Sequence, residues 1–217
     1  KIGDHHYETH AMCFSDEKTM LEHFINHMKR CDPDIITGWF VVGADIKTIA
    51  ERCRSLGINP GNMSPMRRFR WKFGDWEQPI VGRNCIDLMI AFSKLWEMKN
   101  GKLSGYRLDD VALECLKDSK VALEDGHDTY YSDFPLYLKY AVQDVRLLPR
   151  LNSLINAIEY YCAIQHIVQC DLRSTPFVTK LFTSLSLVDK EFDMRIPTKP
   201  QFDYRPYTGA EVMDVES

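Results

Sequence analysis

The sequence predicts an α/β fold, and three observations lead to this prediction. A strand-like apolar run covers residues 35–39. Segments with apolar residues at helical spacing lie before and after it, at 15–31 and 44–56. Residues 66–87 change to the period-two alternation of strands and are followed by further helical segments. Strands that alternate with helices in this way are typical of α/β domains.

The first elements can be placed along the chain. Residues 7–14 are predicted as a strand, and Ser15 is placed to cap the helix that follows. Asp32, next to a proline, ends that helix. The buried strand 35–39 comes next, and a loop then brings Asp45 to the start of a second helix.

The second half is predicted to be mostly helical. Helical spacing covers 87–98, 108–116, a long stretch from 135 to about 169, and 176–192. The residues from about 195 to 217 contain several prolines and little periodicity, so we expect an extended tail.

Length and composition limit the class of protein. A chain of 217 residues, 45% of them hydrophobic, can bury one core, and no run of 18 apolar residues indicates a membrane span. The seven cysteines are scattered singly, which argues against a zinc site and a disulfide framework and favours an intracellular protein. A net charge of −4 argues against a free-standing electrostatic DNA binder but permits a nuclease site, which requires acidic residues.

Two acidic residues and a tyrosine are candidates for a catalytic site. Asp45 follows the predicted strand, whereas Tyr140 and Asp144 lie four residues apart and therefore on one face of a helix. Two carboxylates on separate elements can hold divalent cations at a phosphodiester, and a tyrosine hydroxyl can orient an attacking water. On residue type alone, Asp45 is more often a helix N-cap.

Two blocks of sequence carry a family resemblance. They are DPDIITGWFVVGADI, residues 32–46, and YAVQDVRLL, residues 140–148. They resemble the second and third exonuclease motifs of family B DNA polymerases. Other blocks follow the family's order and approximate spacing: FSDEKTMLEHF, ADIKTIAERCRSLGI, GRNCIDLM, YRLDDVALECL, VTKLF, PTKPQFDY and YTGAEV.

This resemblance covers nearly the whole chain from residue 14 onward. It implies a ribonuclease-H-like exonuclease fold, a mixed sheet flanked by helices with a β-hairpin, lacking its first strand motif. Residues 1–169 would form a partial 3′–5′ exonuclease domain, and 170–217 a connector toward the polymerase palm. In YTGAEV, Tyr207 and Gly209 would lie near the path of DNA.

The resemblance also implies a chemistry. Asp45 and Asp144 would be ligands of Mg²⁺ or Mn²⁺, and Tyr140 would orient the nucleophilic water. The parent enzyme would bind primer–template DNA and its single-stranded 3′ end, and the remainder of the polymerase would be present in cis or in trans.

The chain departs from the family pattern at three places. Phe40 stands where most relatives have Asn, and Ala44 where they have Phe. The first motif, Asp-x-Glu, has no match upstream of Asp45. The two sites with its spacing, 189–191 and 214–216, are interpreted as surface acids. We therefore expect weak or absent metal binding by this chain.

One basic segment has interleaved aromatic residues. Residues 66–83 are predicted to form a hairpin with its turn at Gly74. Arg68, Arg70 and Lys72 would share one face, and the aromatic side chains the other: Phe69, Trp71 and Phe73. Two interpretations remain open, an amphipathic strand with a solvated basic face and a hairpin that contacts DNA phosphates.

Three residue pairs are interpreted without a catalytic role. His23 and His27 lie four residues apart but have no third ligand in view, so they are expected on a solvated helix face. One residue of Asp109-Asp110 is expected to cap the helix that follows. The pair Tyr160-Tyr161 is expected in the core.

Three functional hypotheses follow. The first is a fragment or split piece of a family B DNA polymerase, whose parent adds nucleotides and hydrolyses the primer's 3′ end. The second is a catalytically inactive exonuclease-like module that binds DNA or has a structural role. The third, a free-standing nuclease, is disfavoured by YTGAEV, because such a nuclease does not need a link to a polymerase domain.

Overall fold

The protein is described by a computed structural model that covers residues 10–118 and 126–188. The two strands are β1 (Ile35–Gly38) and β2 (Asn84–Asp87). Two π-helical turns cover Val42–Ile46 and Ala112–Leu116. The helices are α1 (Glu17–Cys31), α2 (Lys47–Ser55), α3 (Leu88–Asn100), α4 (Leu108–Val111), α5 (Thr129–Ser132), α6 (Phe134–Ile155), α7 (Ala157–Val168) and α8 (Val178–Val188).

The sheet of the described part consists of β1 and β2, paired in parallel. Ile35 pairs with Asn84, and Gly38 pairs with Asp87. Because the strands are parallel, both end at the same edge of the sheet. The loop after β1 and the first turn of α3 therefore start side by side.

Helices cover both faces of this sheet. Cys85 and Ile86 point to opposite faces because successive side chains alternate along a strand. Cys85 packs in a cluster with the apolar side of α1, including Leu21 and Ile25. Ile86 packs instead with α3 and with Tyr161 of α7. The predicted α/β class is confirmed, with the core divided between the two faces.

The beginning of α1 differs from the prediction in its cap. Asp16, rather than Ser15, accepts the backbone N–H of Thr19, at 2.8 Å. Ser15 donates its hydroxyl to the carboxylate of Asp16, at 3.0 Å. An aspartate one residue later thus takes the capping position. Residues 10–14 are not a strand, and the rest of that predicted strand lies outside the described residues.

The predicted hairpin at 66–83 is reduced to one antiparallel bridge, between Phe69 and Ile80. The N–H of Arg70 donates to the carbonyl of Pro79 at 2.8 Å, and the turn closes at Gly74, as predicted. Pro79 has no N–H with which to continue the ladder toward the turn. The segment is therefore a loop pair joined at one point rather than two β-strands.

The two sides of this segment carry the predicted residue types. Arg68, Arg70 and Lys72 are all exposed. The aromatic rings contact one another, with centroids 5.2–6.1 Å apart. They are less buried than expected: Trp71 is exposed, and Phe69 and Phe73 are half-buried.

The long helical stretch expected from 135 to 169 is two helices. Asn156 separates α6 from α7 with a left-handed backbone, φ 50°, which asparagine tolerates better than most residues. The side-chain oxygen of Asn152 accepts the N–H of Ile158 at 3.0 Å and so satisfies the start of α7. Apolar spacing continues across the break, which is why the sequence pattern did not reveal it.

Several predicted features lie outside the described residues. These are the acidic sites at 189–191 and 214–216, the extended tail, and Tyr207 and Gly209. Among the described helices, none combines the length and apolar character needed to cross a membrane.

A buried arginine connects α1 to the segment before β2. The guanidinium of Arg83 donates to the carbonyl of Met63 at 2.9 Å and to that of Pro33 at 2.6 Å. It also reaches the carbonyl of Met28, at 3.5 Å, and pairs with Asp32 at 2.9 Å. Its side chain is 3% exposed. Its N–H groups therefore take the place of water as hydrogen-bond donors to carbonyl groups at the end of α1 and near the start of β1.

We expect Arg83→Met to lower the free energy of unfolding by about 3 kcal/mol or more, because a charged donor set is lost from the protein interior. Urea unfolding at neutral pH measures this change. The matched control is Arg52→Met, which removes an exposed ion pair with Glu17 and should change the free energy of unfolding far less, because water screens that pair. Equal losses in the two variants would contradict the proposed role of Arg83.

Candidate functional site

An open cavity of about 510 Å³ lies where β1 ends. Its wall is formed by four parts of the chain: the end of β1 with the loop after it, the π-helical turn, the start of α4, and the middle of α6. The residues that line it are Thr37, Gly38, Trp39, Val41, Asp45, Arg107, Leu108, Asp109, Tyr140, Asp144, Val145 and Leu148.

Hydrogen bonds fix the end of β1 against its neighbours. The hydroxyl of Thr37 donates to the carbonyl of Ile86 at 2.8 Å, and the indole N–H of Trp39 donates to the carbonyl of Tyr106 at 3.0 Å. A Cβ atom at Gly38 would lie 2.9 Å from the Cβ of Val41, so the chain can fold back there only with glycine. The wall is thus rigidly attached to the sheet.

The residue after Trp39 adopts an uncommon backbone conformation. Phe40 has φ 59°, and its N–H donates to Oδ1 of Asp87 at 3.0 Å. Its side chain remains 46% exposed. Asparagine adopts the left-handed region more readily than an aromatic residue. The backbone of Phe40 is therefore strained at a position where most members of the family that this sequence resembles have Asn.

A π-helical turn carries Asp45. The N–H of Ile46 donates to the carbonyl of Val41, five residues back, at 2.9 Å. Such turns contain one more residue than an α-helical turn and are frequent at functional sites. Here the turn joins the loop to α2 and leaves Asp45 in the cavity wall.

The side chain of Asp45 is exposed at the cavity, but protein atoms surround part of its carboxyl group. This partial burial raises the pKa of Asp45, and a hydrogen bond from its own backbone N–H opposes the shift. Burial disfavours the charged form of a carboxyl, and at Asp45 this effect outweighs the hydrogen bond.

A second carboxyl lies behind the cavity wall. Asp87 is buried, and its Oδ1 accepts the N–H groups of Phe40 and, at 3.1 Å, of Met89. Its Oδ2 is also buried and has no hydrogen-bond partner. Burial raises the pKa of Asp87, while the backbone N–H groups around it act in the opposite direction.

One face of α6 forms the far wall. Tyr140, Asp144 and Leu148, each four residues from the next, all line the cavity. The face predicted from the spacing of Tyr140 and Asp144 is therefore the face that meets Asp45 across the cavity. Both residues are half-buried.

The start of α4 contributes two residues that the sequence interpretation missed. Arg107 and Asp109 are exposed and line the cavity. Neither residue of the Asp109-Asp110 pair is the N-cap, because α4 begins at Leu108, after Arg107. The available signal was the pair of charged residues that flank the apolar Leu108, whose side chain is buried.

The carboxylates of the described part do not complete a divalent-metal site. Asp45, Asp109 and Asp144 surround the cavity, yet no group of three or more acidic, histidine or cysteine residues among those described is arranged to hold a metal ion. His27 contacts Cys31, with Nε2 3.3 Å from Sγ, and acquires no such group. The described residues alone therefore do not fit the metal pair that the resemblance implies.

The remaining tyrosine pair is divided between core and surface. Tyr161 is buried against Trp76, with ring centroids 4.7 Å apart, as expected for a core residue. Tyr160, in contrast, is 42% exposed.

Comparison with known proteins identifies related chains. The family model for DNA polymerase family B, exonuclease domain, matches residues 3–111. The DNA polymerase delta catalytic subunit of Dictyostelium discoideum is 28% identical over 69% of this chain and 15% of its own length. The same subunit of Candida albicans is 25% identical over 92% of this chain and 21% of its own length.

A solved structure shares the fold. The family B DNA polymerase from the hyperthermophilic archaeon Pyrobaculum calidifontis superposes with a TM-score of 0.65 at 20% identity, over 90% of this chain and 26% of that one. This likeness confirms the ribonuclease-H-like fold class. The chain spans about a fifth or less of the length of the two curated relatives.

The raised pKa of Asp45 predicts a pH-dependent stability difference. The folded state holds this proton more tightly than the unfolded state, so the free energy of unfolding falls as pH rises from the ordinary value of 3.8 through the raised folded-state pKa. The variant Asp45→Asn has no ionisable group at this position, so its free energy of unfolding does not fall for this reason. Urea unfolding at several pH values across this window should show the variant gaining stability relative to the unmodified chain as pH rises. A difference that does not change with pH would contradict the prediction.

Proposed function

Because this chain belongs to the family B DNA polymerases, through their exonuclease domain, we propose that its cavity receives the single-stranded 3′ end of a DNA primer. In the parent polymerase, the same cavity is the place where that end is hydrolysed. The chain itself is proposed to supply most of the exonuclease domain and the connection to the rest of a DNA-directed DNA polymerase.

One observation carries this proposal: Asp45 lines a single cavity at the end of β1 together with Tyr140 and Asp144, which lie far from it in sequence on α6. Ligands of α/β proteins characteristically bind beyond the carboxyl ends of parallel strands. Two carboxylates on separate elements can hold divalent cations at a phosphodiester, and a neighbouring phenol can orient the attacking water.

Each residue has a proposed role in the parent enzyme. Asp45 and Asp144 are two oxygen ligands for Mg²⁺ or Mn²⁺, and Tyr140 orients a water molecule. Divalent cations of this kind need several oxygen ligands, so further carboxylates must come from outside the described residues. The described part alone is expected to bind the metal weakly or not at all.

Arg107 adds a positive charge to a cavity with three carboxylates. An exposed guanidinium can donate to two phosphate oxygens at once. We propose that Arg107 contacts the backbone of the bound strand.

The surroundings of the cavity complete the proposal. Arg68, Arg70 and Lys72 are proposed to contact DNA phosphates, and Tyr207 and Gly209 to lie along the DNA in the connector 170–217. The partners are primer–template DNA and the remaining polymerase domains, in cis or in trans. All seven cysteines are free thiols, which supports an intracellular location.

The incomplete acidic cluster favours a second candidate function. In an exonuclease-like module that binds DNA without cleaving it, the cavity would still accept a strand end, but no metal pair would form. Phe40 and Ala44, which replace the usual Asn and Phe, are consistent with this alternative. One assay separates the two functions. The longest chain that contains this sequence should hydrolyse single-stranded DNA if the first function is right, and should not if the second is right.

The electrostatics of the cavity predict how DNA binding responds to substitution. In the absence of divalent cations, Asp45→Asn and Asp144→Asn should each bind single-stranded DNA about two- to ten-fold more tightly, because a charge that repels phosphate is removed. Arg107→Ala should bind more weakly by a similar factor. Fluorescence anisotropy with a labelled oligonucleotide measures these affinities.

The control is Glu22→Gln, an exposed residue on α1 that does not line the cavity and should have no effect. Equal affinity for single strands and duplex, or no response to the three cavity variants, would contradict the proposed site. The chain alone should cleave single-stranded DNA little or not at all with Mg²⁺ or Mn²⁺. Robust cleavage that Asp144→Ala abolishes would mean that this chain holds a complete metal site.

The exposed basic residues of the 66–83 segment make a separate prediction. Replacing Arg68, Arg70 and Lys72 by Gln should weaken single-strand binding and flatten its dependence on salt, by about 0.7 in the logarithmic slope for each lost phosphate contact. The measurement is a salt titration of the dissociation constant.

A matched triple variant removes the same charge elsewhere, at the exposed residues Lys18, Lys29 and Arg30 of α1. It should leave the salt slope unchanged. If the two triple variants behave alike, the 66–83 segment is a solvated amphipathic loop without a role in DNA binding.

A further inference from the structure

A row of aromatic rings leads from the protein surface to the cavity. We call it the aromatic strip: Tyr130, Tyr131, Phe134, Tyr137 and Tyr140, on α5 and α6. Tyr130 contacts the rings of Tyr131, Phe134 and Tyr137 at centroid distances of 5.1, 5.5 and 5.5 Å. Tyr137 lies 6.3 Å from Tyr140, which lines the cavity.

Helix geometry explains why these rings form one row. Positions 134, 137 and 140 follow one another at three-residue spacing and therefore lie on neighbouring turns of α6. Asp133 caps this helix by accepting the N–H of Leu136 at 3.0 Å. Thr129 is buried and anchors α5, so that Tyr130 and Tyr131 extend the row beyond the helix start.

The outer part of the strip faces solvent. Tyr131 is 85% exposed, Tyr130 49% and Phe134 41%. These rings belong to none of the three core clusters of the described residues. The planes of neighbouring rings here meet at 85–90°, an edge-to-face arrangement. In such a pair, one ring contributes its edge, and its partner covers neither of that ring's faces.

We propose that the aromatic strip is a stacking surface for the bases of single-stranded DNA whose 3′ end occupies the cavity. The inference rests on the proposed function of the cavity and assigns a binding site to the nucleotides upstream of that end. Every base has an aromatic face, so a row of exposed rings binds unpaired strands with little sequence preference. A duplex, whose bases already stack on one another, gains nothing from it.

The charges around the strip agree with a strand that presents its bases to the rings. At the inner end the exposed cation Lys139 precedes Tyr140 in sequence and Arg107 lines the cavity, so two cations are available to phosphates beside the three carboxylates of the cavity. At the outer end lie Asp128 and Asp133, both exposed. There the phosphate backbone is repelled, and contact is left to the bases.

The test compares exposed residues of the strip with an exposed tyrosine elsewhere. Tyr131→Ala and Phe134→Ala should each weaken binding of a single-stranded oligonucleotide of about 12 nucleotides by roughly five-fold or more, the loss of one stacked base. Tyr131→Phe should retain affinity, whereas Tyr131→Leu, apolar but not aromatic, should lose as much as alanine. Tyr160→Ala on α7 is the matched control and should bind normally.

A second oligonucleotide isolates the bases. It has the same length but is abasic outside its three 3′-terminal nucleotides, and with it the strip variants and the unmodified chain should bind alike. Circular dichroism and thermal unfolding establish that the variants are folded. The smallest change is expected for the variants of Tyr131, which is more exposed than Phe134.

The outcomes separate the two proposals. If Arg107→Ala weakens binding but Tyr131→Ala and Phe134→Ala do not, the strip has no role in binding and the cavity assignment stands. If Tyr131→Leu binds as well as the unmodified chain, stacking is wrong. If the unmodified chain does not prefer single strands to duplex, the proposed function fails, and the strip with it.

Discussion

The carboxylate of Asp87 joins three segments on which the cavity depends. It ends β2, accepts an N–H from the first turn of α3, and accepts the N–H of Phe40 from the loop after β1. The two strand ends are adjacent only because the sheet is parallel, so this one buried acceptor can serve both. Burying this carboxylate costs free energy, and the same burial raises its pKa. The position of Asp45 follows from this junction, since Phe40 lies in the loop that leads into the turn that carries Asp45.

The cavity combines a rigid back with an acidic, hydrated front. Thr37 and Trp39 are fixed by hydrogen bonds to Ile86 and Tyr106, while Asp45 and Asp109 face solvent. Such a division lets the acidic side chains meet a ligand from solvent while the wall behind them keeps its shape. The strained backbone of Phe40 lies where these two parts meet, in accord with the tendency of strain to collect at functional sites.

Much of the fold follows from local patterns, and the rest depends on contacts that a pattern does not contain. The apolar stripe of α1 and the four-residue spacing of Tyr140 and Asp144 are properties of one helix, so the sequence predicts them directly. Arg107 reaches the cavity only because α4 packs beside α6. The break between α6 and α7 involves the left-handed backbone of Asn156 and the side chain of Asn152, which accepts an N–H at the start of α7. Period two at 66–87 describes which faces alternate, not whether strands pair. Apolar spacing within one helix was therefore predictable, whereas helix breaks, strand pairing and the residues that packing adds to the cavity were not.

The π-helical turn at Val42–Ile46 has a consequence for how related chains can vary in length. Removing one residue there would restore α-helical spacing and rotate the segment before it by about 100° relative to α2. Asp45 would then leave the wall it shares with α6. Insertions and deletions among homologues should therefore avoid this turn and collect in surface loops, such as the turn at Gly74, which contributes no residue to the cavity wall. The turn therefore fixes the rotational position of Asp45 relative to α6.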